Sequence, residues 1–328
     1  MTLYDAVCGY KTLSIIGMCK NAGKTTAVND ILGHCAHMGE TVALTSIGRD
    51  GESQDIVTGT KKPGIYVAAG TLIATAEGLI SECDITKEII DTTDMGTPLG
   101  DVVLLRALSD GFVQIGGPSM TDALAQLNAR FFEFGADRVI IDGALSRKTL
   151  CAPSVSEGTV LCTGASYSAD MDVVISDTVH AARLLSLDRT SSPKALPTSR
   201  FSLEANDSET DFDGELLDAF KKHDGIRRVV VRGALTDAML RPLLISSANL
   251  NGLELTVEDG SKLLLSADSH FKLGLKGIKL TVLKKTNLAA ITVNPFSAYE
   301  VGFDKDEFLA KMRKAVNIPV FDVLDGIN

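Results

Sequence analysis

The segment that most constrains this chain runs from residue 12 to residue 37. An apolar stretch at 12–18 (TLSIIGM) reads as a buried strand. It enters the turn Gly17-Met18-Cys19-Lys20-Asn21-Ala22-Gly23-Lys24-Thr25-Thr26, and residues 24–37 follow as a helix that stops near Gly39. Strand, glycine-bearing turn and Gly-Lys-Thr helix start, in that order, are what a phosphate-binding loop requires. The turn leaves backbone N–H groups pointing inward, and the helix start adds the positive end of its dipole. Lys20, Asn21, Ala22, Gly23, Lys24, Thr25 and Thr26 are therefore the expected nucleotide-binding residues. Lys24 supplies a cation for the β- and γ-phosphates, and the Thr25 hydroxyl can ligate Mg²⁺. One position departs from the usual spacing. The glycine expected five residues before Gly23 is Met18, with Gly17 one step earlier. Either the turn is re-registered by one residue or Met18 itself takes the required dihedrals.

Around this segment, short β-rich runs alternate with helix-length stretches, the pattern of a mostly parallel sheet covered by helices. Strands are expected at 41–47, 101–108, 112–115, 138–141 and 159–163. Helices are expected at 118–134, capped by Ser119, and at 170–187, and residues 67–94 read as mainly helical. Between 188 and 214 the chain becomes rich in Ser, Thr, Pro, Asn and Asp and reads as linker or surface excursion. The expected organisation is α/β: a nucleotide-binding domain over 1–187, that linker, and a smaller C-terminal α/β domain over 215–328. In the latter, strands fit 228–232, 253–258, 261–265, 279–283, 289–293 and 320–323, and helices fit 234–244 and 304–316. Asp259-Gly260 reads as a hairpin turn.

Open α/β sheets place ligands at the carboxyl ends of their strands, so acids there are the candidate metal and catalytic groups. Asp142 ends the run RVII, the arrangement that holds Mg²⁺ directly or through water. Asp50 and Glu52 follow the second strand in Gly48-Arg49-Asp50-Gly51-Glu52, and two readings stand for them, a loop approaching a γ-phosphate or an ordinary surface loop. Lys24, Asp50 and Asp142 form the candidate catalytic set, and Thr25, Asp50 and Asp142 the candidate metal set. Guanine-specific loops carry Asn/Thr-Lys-x-Asp. The nearest string, Thr86-Lys87-Glu88-Ile89, lacks the acid, which favours ATP.

Composition removes several classes. With 32 Lys+Arg against 42 Asp+Glu, a net charge of −10 and no tryptophan, the chain lacks the basic, aromatic footprint of a nucleic-acid binder. No apolar run approaches the ~20 residues of a membrane span. The six cysteines are scattered without a CxxC pair, and the N-terminus does not read as a signal peptide, so a reducing, cytoplasmic setting is expected.

The loop on the first strand, with an acidic loop after the next, resembles the SIMIBI class of P-loop NTPases over residues 10–185. That class includes dethiobiotin-synthetase-like ligases, metallochaperone GTPases and cobalamin-mutase chaperones. Its additional lysine near the loop start falls one position before Lys20. A narrower resemblance, carried by Ile141–Ser146, Arg147-Lys148, Ala152-Pro153 and Thr163-Gly164-Ala165-Ser166, is to the KamB-type smaller subunit of the reactivase that accompanies the cobalamin-dependent lysine 5,6-aminomutase. This resemblance implies an Mg-ATPase that exchanges damaged cobalamin on a partner aminomutase, with a second reactivase subunit in a homo- or hetero-oligomer. The alternative is an ATP-dependent small-molecule kinase or ligase of the dethiobiotin-synthetase type, with Asp50 and Lys20 facing a substrate carboxylate.

Other constellations carry a plainer reading beside the chemical one. His34 and His37 share a helix face but supply at most two metal ligands. Cys19 is a reactive thiol or a small loop residue. Gly116-Gly117-Pro118-Ser119 binds an anion or makes a turn and cap, and Arg147-Lys148 faces phosphate or solvent. Ser166 and Ser168 have no His/Asp support for a hydrolase triad.

Overall fold

The computed structural model describes residues 1–47, 64–143, 151–192, 195–206, 208–299 and 301–323. The chain divides into two compact units, residues 1–179 with 287–328, and residues 180–286.

The first unit is built on a nine-stranded sheet. Its strands are β1 (Thr12–Gly17), β2 (Val42–Ser46), β4 (Leu72–Ala76), β5 (Lys87–Thr97), β6 (Gly100–Ala107), β8 (Arg138–Asp142), β9 (Gly158–Gly164), β17 (Leu288–Asn294) and β18 (Val320–Asp322). The order is β18-β17-β9-β1-β8-β2-β4-β6-β5. All neighbours from β18 to β4 run parallel, and β6 and β5 are antiparallel additions at one edge. A small antiparallel pair, β3 (Ile65–Val67) and β7 (Gly111–Val113), lies outside this sheet. Burial explains why β1 carries no alternation: all six of its residues are buried, as expected for a strand covered on both faces.

Helix α2 (Lys24–Met38) buries Ala27, Val28, Ile31, Leu32 and Cys35, and it packs against β1, β2 and β8. Each large aliphatic side chain so buried contributes about 1.5–3 kcal/mol. Gly39 ends the helix in the left-handed conformation, φ +74°. Helix α1 (Leu3–Val7) packs on α2, α3 (Thr121–Glu133) packs on β8, and α8 (Lys305–Ala315) packs on β18.

The second unit holds a five-stranded sheet. Its strands are β10 (Phe201–Ala205), β11 (Ser208–Phe212), β12 (Ile226–Val231), β14 (Glu254–Val257) and β16 (Lys279–Val282), in the order β11-β10-β12-β14-β16. The helices α5 (Leu216–Lys222), α6 (Asp237–Ile245) and α7 (Ala267–Leu275) and the short parallel pair β13 (Leu235–Thr236) and β15 (Leu263–Leu264) complete it. Its own core gathers Phe201, Leu203, Val229, Val231, Leu240, Leu243, Leu255 and Val257. Helix α4 (Met171–Leu185) is the chain's passage from one unit to the other.

Five expectations are corrected. Residues 67–94 are not mainly helical: they contain β4, a 3-10 segment at Glu77–Glu82 and most of β5. Their Thr and Ile content suits a pleated strand, because β-branched side chains resist the helical rotamer set. The second domain does not extend to 328. Residues 287–328 return to the first sheet, where β17 pairs with β9 from Leu288 to Asn294. Residues 188–214 are not simply linker, since they include β10 and β11. Asp259-Gly260 makes no hairpin. The Asp259 carboxylate accepts from the Ser261 N–H at 2.8 Å and opens a 3-10 turn, while β14 pairs in parallel with β12 and β16. Ser119 does not cap α3, which starts after Met120 without a side-chain cap.

Candidate functional site

The carboxyl ends of β1, β8, β2, β9 and β17 lie side by side, and the candidate site grows from that edge. At the end of β1, Gly17 is in register with Cys162 of β9, and the Met18 N–H donates to the Cys162 carbonyl at 2.8 Å. The chain then turns through Asn21, φ +61°, and Gly23, φ +87°, both left-handed. Among the described residues, the non-glycine positions with positive φ are Asn21 and Asn206. Met18 therefore keeps an ordinary backbone, and the turn is re-registered onto Gly17, Asn21 and Gly23. Gly17 matters for a steric reason. A Cβ placed there would stand 2.9 Å from both Cγ and Cδ of Lys24, so the lysine stem folds back across the glycine. The Lys24 Nζ donates to the Cys19 carbonyl at 3.4 Å. Ala22 is fully buried beneath the turn.

Helix α2 begins with no side-chain cap and no acid in its first turn. Thr25 and Thr26 sit in that first turn, partly exposed. Lys20 is exposed on the loop.

Asp142 ends β8 in register with Ile15 of β1 and Ser46 of β2. It is half-buried, its carbonyl accepts from the Ile47 N–H at 3.2 Å, and the Gly143 N–H donates to the Ile15 carbonyl. The buried Cys162 thiol reports the local field. Burial pushes it up to about 11, neighbouring Thr292 and the Lys24 charge oppose the rise, and Asp142 adds to it. The charges of Lys24 and Asp142 are thus both felt at Cys162 on β9. The Cys19 thiol is also raised by burial, with Lys24 opposing, so it carries no lowered pKa of the kind that makes a reactive cysteine.

Asp50, Arg49 and Glu52 lie outside the described residues, as do Arg147 and Lys148. Gly116 and Gly117 reach the site's edge, where their N–H groups donate to Thr75 Oγ1 and Ser46 Oγ. A Cβ on Gly117 would fall 2.0 Å from the Ser46 carbonyl, so close packing on β2 accounts for that glycine. His34 stacks on Tyr4 and its Nδ1 donates to the Asp30 carbonyl. The string Thr86-Lys87-Glu88-Ile89 has a structural task, since Lys87 donates to the carbonyls of Ile80 and Cys83.

The structure adds residues that local reading missed. Asn294, at the end of β17, donates from Nδ2 to the Asn21 carbonyl at 3.0 Å. Asn21 in turn donates to the Tyr299 hydroxyl at 3.4 Å. The Val323 methyls approach to 3.0 Å of where a Gly23 Cβ would be. The segment Asn294-Pro295-Phe296-Ser297 therefore occupies the strand end beside the loop. It begins with Asn, but Pro295 and Ser297 stand where a guanine-reading segment has Lys and Asp. The signal was an Asn-Pro pair closing an apolar strand, which by itself reads only as a turn.

Compared with models of protein families, with curated proteins and with solved structures, the chain matches none. The reading of the site rests on its residues.

Proposed function

We propose that the chain is an Mg-dependent ATPase whose nucleotide sits on the 17–26 turn. The observation that carries this reading is the pairing of two features at one sheet edge: Lys24 folded across Gly17 over an uncapped helix start, and Asp142 at the end of the adjacent parallel strand. The backbone N–H groups and Lys24 take up phosphate charge where it accumulates during transfer of the terminal phosphoryl group. The donors for a metal are all oxygens, the Thr25 hydroxyl and the Asp142 carboxylate, and such a hard, incomplete set suits Mg²⁺, which keeps several waters. Bound there, Mg²⁺ would supply charge neutralisation on the phosphates. Ser297 in place of a base-reading acid supports adenine over guanine.

Turnover is read as driving a conformational cycle on a partner protein. The resemblance to the reactivase of a cobalamin-dependent aminomutase names that partner and a second subunit. Calorimetry tests the core of the reading. Lys24→Ala removes a charge-assisted contact of about 3 kcal/mol, so the ATP Kd should rise about a hundredfold. Unchanged binding would sink the proposal. Turnover raised by an aminomutase supports the partner reading, while turnover raised by a small acid with a phosphorylated product supports the kinase or ligase alternative instead.

A further inference from the structure

Within the second unit, two histidine rings meet, and the Arg183 charge acts on one of them. His180 and His270 have ring centroids 5.6 Å apart at an interplanar angle of 51°. His180 Nε2 donates to the Leu265 carbonyl at 2.8 Å, which fixes its tautomer and leaves Nδ1 as the group that can take up a proton. Arg183, one turn further along α4, adds its charge against His270. His270 itself sits in the first turn of α7, where the positive end of the helix dipole adds to the same sign of potential.

The neighbouring acids are occupied. The Asp237 carboxylate of α6 accepts from the Ser266 N–H through both oxygens, and Asp268 pairs with Lys272 at 2.5 Å. Among the described residues, neither His270 nor Arg183 has an ion-pair partner. Like charges held together cost free energy unless an anion joins them, and clusters of this kind are candidate sites.

We propose that His180, His270 and Arg183 form a binding site for a phosphate-class oxyanion, one that tightens as the histidine pair protonates. The three donors come from two helices, so one anion with several oxygens can accept from both imidazoles and from the guanidinium fork. The site is independent of the nucleotide reading, since all three side chains belong to residues 180–286.

Burial, together with His180 and Arg183, holds the His270 pKa below its ordinary value. An anion that offsets those charges must raise it. The chain has five histidines, few enough to follow ring by ring by NMR titration of the whole protein. Inorganic phosphate in place of chloride at matched ionic strength should raise the His270 pKa by about one unit, equivalent to about tenfold tighter phosphate binding by the protonated form. His34, His37 and His223 should stay in place. Arg183→Gln should shrink the shift, and acetate, a monoanion, should give a smaller one. The same titration on Lys24→Ala should be unchanged, which keeps this outcome apart from that of the nucleotide site. The proposal is overturned if His270 titrates alike in phosphate and chloride, if all five histidines move together as screening would cause, or if acetate moves His270 more than phosphate.

Discussion

Helices α2 and α6 each follow a parallel strand, yet their first turns are finished in opposite ways. At α6, the Thr236 hydroxyl accepts from the Met239 N–H and Asp237 opens the helix as an acid in its first turn. At α2, the capping position is Gly23 in the left-handed conformation, with neither a side-chain cap nor an acid. A helix start leaves four N–H groups to be satisfied. In α6 the chain contributes to that task itself. In α2 it leaves the donors open and lays Lys24 beside them. What separates the two helix starts is the cap, not the alternation of strand and helix.

The contrast can be broken by substitution. The largest effect is expected from Gly17→Ala. The added side chain meets Lys24 at its flexible stem rather than at backbone, so the lysine yields and leaves its seat while the sheet stays intact. ATP affinity should fall at least about a hundredfold, as for loss of the lysine contact itself, with thermal unfolding nearly unmoved. A large drop in Tm with binding retained in the folded fraction would show that Gly17 serves packing alone.

A smaller effect tests how the open turn is held. Asn294→Ala removes one neutral hydrogen bond to the Asn21 carbonyl, about 1 kcal/mol, and should weaken ATP binding roughly fivefold by loosening a residue held at positive φ. Equal ATP affinity in titration calorimetry would mean that the turn holds its shape without β17. The smallest effect falls on α6. Thr236→Ala removes its side-chain cap and should cost about 1 kcal/mol of stability, with ATP binding untouched. If that substitution altered ATP affinity, the two helix starts would not be functionally separate.

Local structure was legible in the sequence and long-range assembly was not. The turn at 17–26 and Asp142 could be read because each is specified by its immediate neighbours, an apolar strand on one side and a helix or Gly turn on the other. Asn294 and Tyr299 could not, since their partner Asn21 lies 273 and 278 positions away, and no short pattern encodes such a contact. The β4 and β5 region misled because a fully buried strand such as Leu72–Ala76 shows no alternation to set it apart from a helix. The domain boundary failed for a topological reason: composition marks where a chain leaves a domain but carries no mark of its return, and here the last strands re-enter the first sheet beside β9.

That return has a consequence for how the protein is made. Synthesis delivers the 17–26 turn long before its clamps, since Asn294 and Tyr299 follow their partner Asn21 by 273 and 278 positions and Val323 comes later still. A ribosome-bound chain that already displays Lys24 still lacks strands β17 and β18, while residues 180–286, a compact unit of their own, precede both strands. The 17–26 turn therefore gains its supports only once β17 and β18 have emerged, so products truncated before β17 carry the motif without the contacts that hold it.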